Sequence, residues 1–270
     1  MSFSVNTNIN AMTANMNLNR SNQAVNSSLG SLSSGLKLNS ASDDASSLSI
    51  ADQLSAQVSG MGQAMMNAND SVGMIQIADG GMSSISENMD RIRVLTLQAS
   101  NGTMNDASRE AIQKEIDGLL KSSDQIANST SYNGIDLLNG TTLTTQSGAN
   151  AGDTQTLEIG DATMTSLLGG SIDVTTEEGL ASALETIDKA MDGIHDIRSS
   201  LGSSENQLVS TINSLSVTQI NTASAESQLR DVDFAAESAS FSKENMMSQI
   251  GSYVQAQSNA VESNVARLFQ

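Results

Sequence analysis

The side chains that carry most enzyme chemistry are scarce in this chain of 270 residues, which has a single histidine, His195, and no cysteine. A lone imidazole can serve as a base or as one metal ligand. A metal site needs three or four donors at set spacings, and no second His, Cys or carboxylate cluster supplies them. No His-Glu-x-x-His, Gly-x-Ser-x-Gly or P-loop pattern occurs. Beside Ile194, His195 reads as a surface or half-buried residue flanking a helical seam. Asp43 and Asp44 are adjacent acids, an arrangement that acid–base pairs use. Flanked by Asn39, Ser40 and Ser42, they read instead as capping and turn-forming groups that break a helix. Met61, Met65, Met74, Met82 and Met89 could line a pliable groove, but several recur on one helical seam, where core filling fits better. These residues describe no enzyme, and no catalytic, cofactor-binding or metal-ligating residue is assigned.

Composition narrows the class further. The formal net charge of -18 and pI near 4.1 oppose nucleic-acid binding, which needs a basic footprint. Self-repulsion on that scale favours a soluble subunit that does not associate at random. Aromatic residues make up only 2% and tryptophan is absent, so a conventional core would lack its largest side chains. Proline is absent too, against an average usage of about 5%. Since proline breaks helix interiors, its absence suits long uninterrupted helices. The start, MSFSVNTNINAMTANMN, lacks the charged residues and apolar run of a secretory signal. No stretch approaches the roughly 20 apolar residues of a membrane helix.

The elements follow from periodicity. Val25, Leu29, Leu32 and Leu36 repeat at spacings of four, three and four, which predicts a first helix over Ile9 to Lys37. Rich in Asn and Ser, it needs a partner to be stable. After the break at residues 39–44, Leu54, Val58, Met61, Met65, Ala68, Val72 and Ile75 open a much longer stripe. It slips by one residue at Ala78 and resumes through Met82, Ile85, Met89 and Ile92. Ser46 to Ala99 would span roughly 80 Å as one helix, the length of a rod rather than of a globular core. The slip predicts altered winding near Asp79-Gly80-Gly81. Asn101-Gly102-Thr103 should end this helix with a left-handed glycine. Asp106 or Ser108 should cap the next, an antiparallel neighbour with Ile112, Ile116, Leu119 and Ile126 inward.

Residues 132–170 change character: Asn133-Gly134 and Asn139-Gly140 suggest hairpin turns, and LLNGTTLTTQ and TLEIGD suggest short strands. Thr175 with Glu178 forms a capping box. The last long helix carries Leu180, Leu184, Ile187, Met191, Ile194, Leu201, Leu208, Ile212, Leu215 and Leu229 in one heptad register. Arg198, Glu205, Gln219, Thr222 and Glu226 stand in its seam, where they weaken packing and fix register. After a break at Arg230-Asp231-Val232-Asp233 comes a terminal helix with Met247, Ile250, Val254, Val261, Val265 and Leu268. The expected fold is mainly α: a long antiparallel helical bundle, coiled-coil N- and C-terminal helices that pair with each other, and a small β-hairpin region.

Two stretches at opposite ends resemble one family. LSSGLKLNSASDDASSLSIADQL, with Asp43 and Asp44 within it, is similar to the N-terminal segment of bacterial flagellins. RDVDFAAESASFSKENMMSQIGSYVQAQSN, residues 230–259, is similar to their C-terminal segment. The resemblance leaves out only residues 141–173, so it implies a short, core-only flagellin lacking large outer domains. Residues 1–42 and 231–270 would then form the terminal coiled-coil domain of the filament core, and 43–140 with 172–230 the helical bundle domain. Residues 141–171 would be a short β/turn excursion in place of outer domains. Asp43 and Asp44 would mark the helix break, or spoke, between the two domains.

The family implies a structural role: a subunit that polymerises with copies of itself into the flagellar filament for motility. It would be secreted through the flagellar channel without a cleaved signal and would reside in the extracellular flagellum. Val25, Leu29, Leu32, Leu36, Ile250, Val254, Val261, Val265 and Leu268 would form the terminal polymerisation seam. Further implied partners are a flagellar export chaperone, the cap protein and hook-junction proteins, with neither nucleic acid nor membrane among them. The glycosylation-type triplets at Asn101, Asn128 and Asn139 carry no weight in such a protein. Arg91, Leu95 and Glu115 match the surface that the flagellin-sensing Toll-like receptor recognises in receptor-active flagellins, and the same patch contacts neighbouring subunits in the family. An Arg fork, an apolar knob and a carboxylate suit an interface hot spot. The competing readings are a hook–filament junction protein, which shares the terminal patterns, and a coiled-coil export-system translocator or adhesin.

Overall fold

The computed structural model describes residues 8–268, apart from the side chains of Val265, Ala266 and Leu268. Its elements run α1 (Ile9–Ser34), α2 (Ala41–Ala99), α3 (Asp106–Ser129), β1 (Ser131–Tyr132), β2 (Ile135–Asp136), β3 (Thr142–Gln146), β4 (Thr154–Glu158), α4 (Met164–Leu168), α5 (Glu177–Arg230) and α6 (Phe234–Leu268). It is mainly α, with two small antiparallel strand pairs, β1–β2 and β3–β4. Two compact units result: residues 1–56 with 221–270, and residues 57–220.

In the second unit, buried positions on α2 are Met61, Ala64, Ala68, Ser71, Ile75, Ala78, Met82, Ile85, Met89, Ile92, Leu95, Thr96 and Ala99. Leu95 apart, their spacings alternate three and four, the period of a coiled-coil seam. The slip expected at Ala78 is therefore absent, and the backbone around Asp79-Gly80-Gly81 stays helical. The discrepancy arose because Ala64 and Ser71, rather than Met65 and Val72, occupy the inward positions. α5 follows the same rule, with Leu180, Ala183, Ile187, Ala190 and Ile194 buried, so Ala183 and Ala190 take the places assigned to Leu184 and Met191. On α5 small residues thus take alternate seam positions.

Polar pairs set the register of α5 on α2, as the seam pattern suggested. Arg198 Nε donates to Asp79 Oδ1 at 2.8 Å, and Gln76 Nε2 donates to Glu205 Oε1 at 3.0 Å. Arg93 reaches Asp188 at 2.9 Å, and Gln219 Nε2 donates to the Val58 carbonyl at 3.1 Å. Partners advance on one helix as they recede on the other, so the pair is antiparallel. α3 is antiparallel to α2 in turn, through Arg91–Glu115 and Asn88–Ser123.

Several ends differ from their expected chemistry. α2 stops through an Asn101 turn whose Oδ1 accepts from Thr103 N–H at 3.2 Å, and Gly102 is not left-handed. Asn105, not Asp106 or Ser108, caps α3, accepting from Ser108 N–H at 2.8 Å. Thr176 caps α5 through Gly179 N–H, while Thr175 donates its hydroxyl and N–H to Asp173. Each cap sits one residue or more from its expected place because several cap-type side chains stand in a row. Asn133 and Gly134, with φ of 51° and 79°, make the two-residue turn of β1–β2, the type I′ chemistry Asn-Gly favours. Asn139-Gly140 does not join paired strands; Asn139 bridges Asp161 instead.

The excursion packs on α2 where glycine permits it. A Cβ on Gly81 would meet Thr130 Oγ1 at 2.8 Å and Leu138 Cδ1 at 3.0 Å, and one on Gly60 would meet Ala149 at 3.1 Å. Ser71 and Thr145 share a buried hydroxyl hydrogen bond of 2.7 Å. Leu137, Leu138, Leu157 and Ile159 join the same core as the α2 seam. The Gly81→Val chain should therefore lose about 1–3 kcal/mol through overpacking. Gly80 has open space around its Cβ position, so Gly80→Ala should gain about 0.5–1 kcal/mol. Thermal unfolding followed by circular dichroism checks both signs; equal effects would remove the close-approach role of Gly81.

Candidate interaction surfaces

In the terminal unit, α1 and α6 lie antiparallel. Ser248 Oγ donates to Asn22 Oδ1 at 2.7 Å, Asn8 Nδ2 donates to the Ser258 carbonyl at 3.4 Å, and Gly251 lies over Leu18. On α1 the least exposed positions are Ala14, Leu18, Ser21, Val25, Ser28 and Leu32; on α6 they include Phe241, Ser248, Gly251, Gln255 and Ser258. This inward face is mostly small and polar. Leu18, Val25 and Leu32 on α1 and Phe241 on α6 are the large apolar residues of that face; many others point elsewhere: Ile9, Met12, Met16 and Leu29 on α1, and Phe234, Met246, Met247, Ile250, Tyr253, Val254 and Val261 on α6, are all exposed.

The expected terminal stripe therefore divides. Val25 and Leu32 are half-buried against α6, whereas Leu29 is 53% exposed. Leu36 leaves the helix altogether, since α1 ends at Ser34 and Gly35 caps it in the left-handed region with φ of 73°. Ile250, Val254 and Val261 are exposed in the single chain; the side chains of Val265 and Leu268 lie outside the described residues.

The two helix breaks meet each other. Lys37 N–H donates to the Arg230 carbonyl at 2.7 Å, Val232 N–H donates to the Gly35 carbonyl at 3.0 Å, and Leu36 bridges Asp231. Beside this short ladder, Asp233 Oδ1 caps α6 by accepting from Ala235 and Ala236 N–H. Arg230 Nη1 stands 3.5 Å from Asp52 and 3.6 Å from Glu226.

Asp43 and Asp44 shape the same corner. Asp43 Oδ2 accepts from Ser40 N–H at 2.8 Å and Asn39 N–H at 3.0 Å. Asp44 adopts an extended backbone (φ -164°, ψ 101°) inside the span of α2. Its Oδ1 accepts from Ser46 and Ser47 N–H, and its Oδ2 from the Ser47 hydroxyl at 2.6 Å. The Ser40 N–H, aided by that of Asn39, holds the Asp43 carboxyl below its ordinary range. The Ser47 hydroxyl and N–H do the same for Asp44, with Ser46 N–H and the Lys37 charge adding to them.

On the second unit, Arg91 Nη2 donates to Glu115 Oε1 at 2.7 Å and Nε to the same oxygen at 3.3 Å, with both side chains about half exposed. Leu95 is not beside them on the surface. It is 2% exposed and belongs to the bundle core, because the fourth residue after Arg91 turns inward toward the seam. Val94 and Leu97 are the exposed apolar residues there, a distinction a four-residue spacing cannot draw. His195 is exposed, and no group of three potential metal ligands occurs among the described residues. No described helix is long and apolar enough to cross a membrane.

The described residues thus form paired terminal helices and a three-helix bundle with a small β excursion, the architecture of a long-helix structural protein. Sequence comparison gives its family. Residues 5–142 match the bacterial flagellin N-terminal helical region, and residues 184–269 match the bacterial flagellin C-terminal helical region. A flagellin of Bacillus subtilis (strain 168) is 34% identical over 302 residues, covering 98% of this chain and 99% of that one. The crystal structure of Bacillus cereus flagellin superposes with a TM-score of 0.51 at 29% identity, covering 56% of this chain and 88% of that one. A chain described as a flagellar hook-associated protein of Vibrio parahaemolyticus shares the fold alone, with a TM-score of 0.59 at 18% identity, covering 70% of this chain and 100% of that one.

The chain belongs to the bacterial flagellin family. It is a structural subunit that associates with itself in the extracellular flagellar filament, and it is not an enzyme.

The corner has a testable acid limb. A carboxyl whose folded pKa is depressed contributes stability that is fully present above its unfolded value, about 3.9 for aspartate. That contribution is lost as pH falls below this value through the lower folded one. The amide shifts of Ser40, Ser46 and Ser47 should therefore titrate with midpoints below an unstructured aspartyl peptide. Asp43→Asn with Asp44→Asn should flatten the acid dependence of terminal-unit stability; an unchanged acid limb would mean the corner does not hold this unit together.

Proposed function

We propose that the outward apolar faces of α1 and α6 are the surfaces that neighbouring copies of this chain bury in the filament. The observation behind this reading is the number of large apolar residues left exposed on both terminal helices, Ile9, Met12, Met16 and Leu29 on α1 and Phe234, Met246, Met247, Ile250, Tyr253, Val254 and Val261 on α6. A soluble monomer gains nothing from exposing Ile250, Tyr253 and Val254, whereas a polymer subunit uses them. Residues 1–42 and 231–270 would thus build the filament core, and 43–140 with 172–230 the long helical bundle domain. The Asp43–Asp44 corner would join them, with residues 141–171 as the short excursion. A head-to-tail contact that does not close makes a helical filament rather than a ring.

Before assembly the same faces suit an export chaperone, and passage through the flagellar channel would need no cleaved signal. At the ends of the polymer, the cap protein and hook-junction proteins complete the partner set. The Arg91–Glu115 pair is half exposed on α2 and α3, which suits recognition of the monomer by the flagellin-sensing Toll-like receptor. With Leu95 inside the bundle, the apolar part of that patch would come from Val94.

Ile250→Asp with Val254→Asp should abolish seeded elongation seen by electron microscopy, while circular dichroism shows the bundle still folded. Normal filaments from this variant would sink the terminal-face reading. If the natural chain caps seeds without extending them, the hook–filament junction reading replaces it. For the receptor, Arg91→Ala should cut monomer signalling about tenfold or more, the scale of a lost hot-spot side chain. Signalling equal to the natural chain would dismiss that patch.

A further inference from the structure

Several methionines stand at the two extremes of exposure. Met61, Met82 and Met89 are 0–2% exposed on the α2 seam, whereas Met12, Met16, Met246 and Met247 are 48–65% exposed, two on each terminal helix. A thioether is the one side chain here that is both apolar and readily oxidised, since cysteine is absent. Met12 and Met16 also line a groove with Asn15, Asn19, Arg20 and Gln255. Each of those four side chains can donate a hydrogen bond to an oxygen placed on the sulfur.

We propose that Met12, Met16, Met246 and Met247 are an oxidation site through which a peroxide keeps the free subunit from joining the filament. This rests on the reading that copies bury the faces carrying these residues. In the reaction with hydrogen peroxide a sulfur lone pair attacks one oxygen; the O–O bond breaks, an S–O bond forms, and the proton on the attacked oxygen passes to the departing hydroxide, which leaves as water. The thioether loses two electrons and the peroxide gains them. The product turns an apolar contact into a strong acceptor, which costs free energy when buried without a donor. In the free chain, the amides and guanidinium of the groove solvate the sulfoxides at Met12 and Met16. Oxidation therefore favours the free state over the assembled one. The seam methionines, enclosed by helices, keep the bundle intact during the same exposure. In a finished filament the four sulfurs would be covered, which confines the effect to subunits not yet added.

The test treats the full chain with hydrogen peroxide, maps sulfoxides by peptide mass spectrometry and follows elongation from filament seeds by light scattering. Sulfoxide should accumulate first at these four residues and at exposed Met66, and not at Met61, Met82 or Met89. Elongation should fall about tenfold or more, as burial of unpaired polar groups implies, and should recover after treatment with methionine sulfoxide reductases. A chain with Met12, Met16, Met246 and Met247 all changed to Leu should elongate equally before and after peroxide. Should that variant not elongate, the pairwise variants M12L/M16L and M246L/M247L take its place, each expected to lose part of the sensitivity. The Met66→Leu chain should remain sensitive. An oxidised natural chain that elongates at the untreated rate overturns the proposal, as does a Leu variant that stays fully sensitive. If Ile250→Asp with Val254→Asp blocks elongation while oxidation does not, the terminal-face reading survives and only the oxidation site falls. If neither blocks it, the reading itself is wrong.

Discussion

The narrow seam is the constraint from which the other features descend. A coiled-coil helix buries two positions in seven, and here one of the two is often Ala or Ser. Ala64, Ser71 and Ala78 are buried on α2, and Ala183 and Ala190 on α5, to either side of the Arg93–Asp188 pair. Such a seam has no room for tryptophan and little for other aromatics, which accounts for a composition that would starve a globular core. It also turns close approach into the main source of packing, because dispersion depends on short contact distances. The glycines at contacts follow from this. Gly81 and Gly60 stand where the excursion meets α2, and Gly251 where α6 crosses Leu18.

A narrow seam also limits how much a pair of helices can hold by itself, and α1 with α6 shows the consequence. Their shared face mixes Leu18, Val25, Leu32 and Phe241 with serine and glutamine side chains, whose hydrogen bonds largely exchange for those with water. What fixes these helices relative to each other in sequence is the pair of breaks. Gly35 to Lys37 and Arg230 to Val232 form a two-bond backbone ladder, flanked by the carboxylates of Asp43, Asp44 and Asp233 acting on N–H groups that helix starts leave unsatisfied. Thus the corner is built from backbone and caps. The apolar side chains remain free for another surface.

How much of this was legible from sequence depended on what signal each feature uses. Long helices, the antiparallel return and the Asn133-Gly134 turn announce themselves through period and turn chemistry, and LLNGTTLTTQ and TLEIGD mark the strands only in part, since these run over 142–146 and 154–158. Arg198, Glu205 and Gln219 were readable as register devices because polar residues in a seam must find partners. The apparent slip at Ala78 was not real, since hydrophobicity ranks Met65 and Val72 above Ala64 and Ser71 while packing selects the smaller pair. Leu95 failed similarly: two residues four apart share a face only approximately, and one lies over the seam while the other rims it. Cap positions at Asn105 and Thr176 were off by a residue because runs such as Asn105-Asp106 and Thr175-Thr176 offer several equivalent caps.

Charge adds the last physical element. With a net charge of -18, two copies repel as they approach, and that repulsion weakens as salt shortens the screening length to about 10 Å at 0.1 M. Apolar burial acts only at contact, whereas the repulsion acts before it. Association is therefore slow for chains meeting at random and favourable where a subunit is already held against a growing end. The sequence features that look like defects in a folded monomer, serine-rich termini and exposed Ile250, Tyr253 and Val254, are consistent as the properties of a subunit completed by its neighbours.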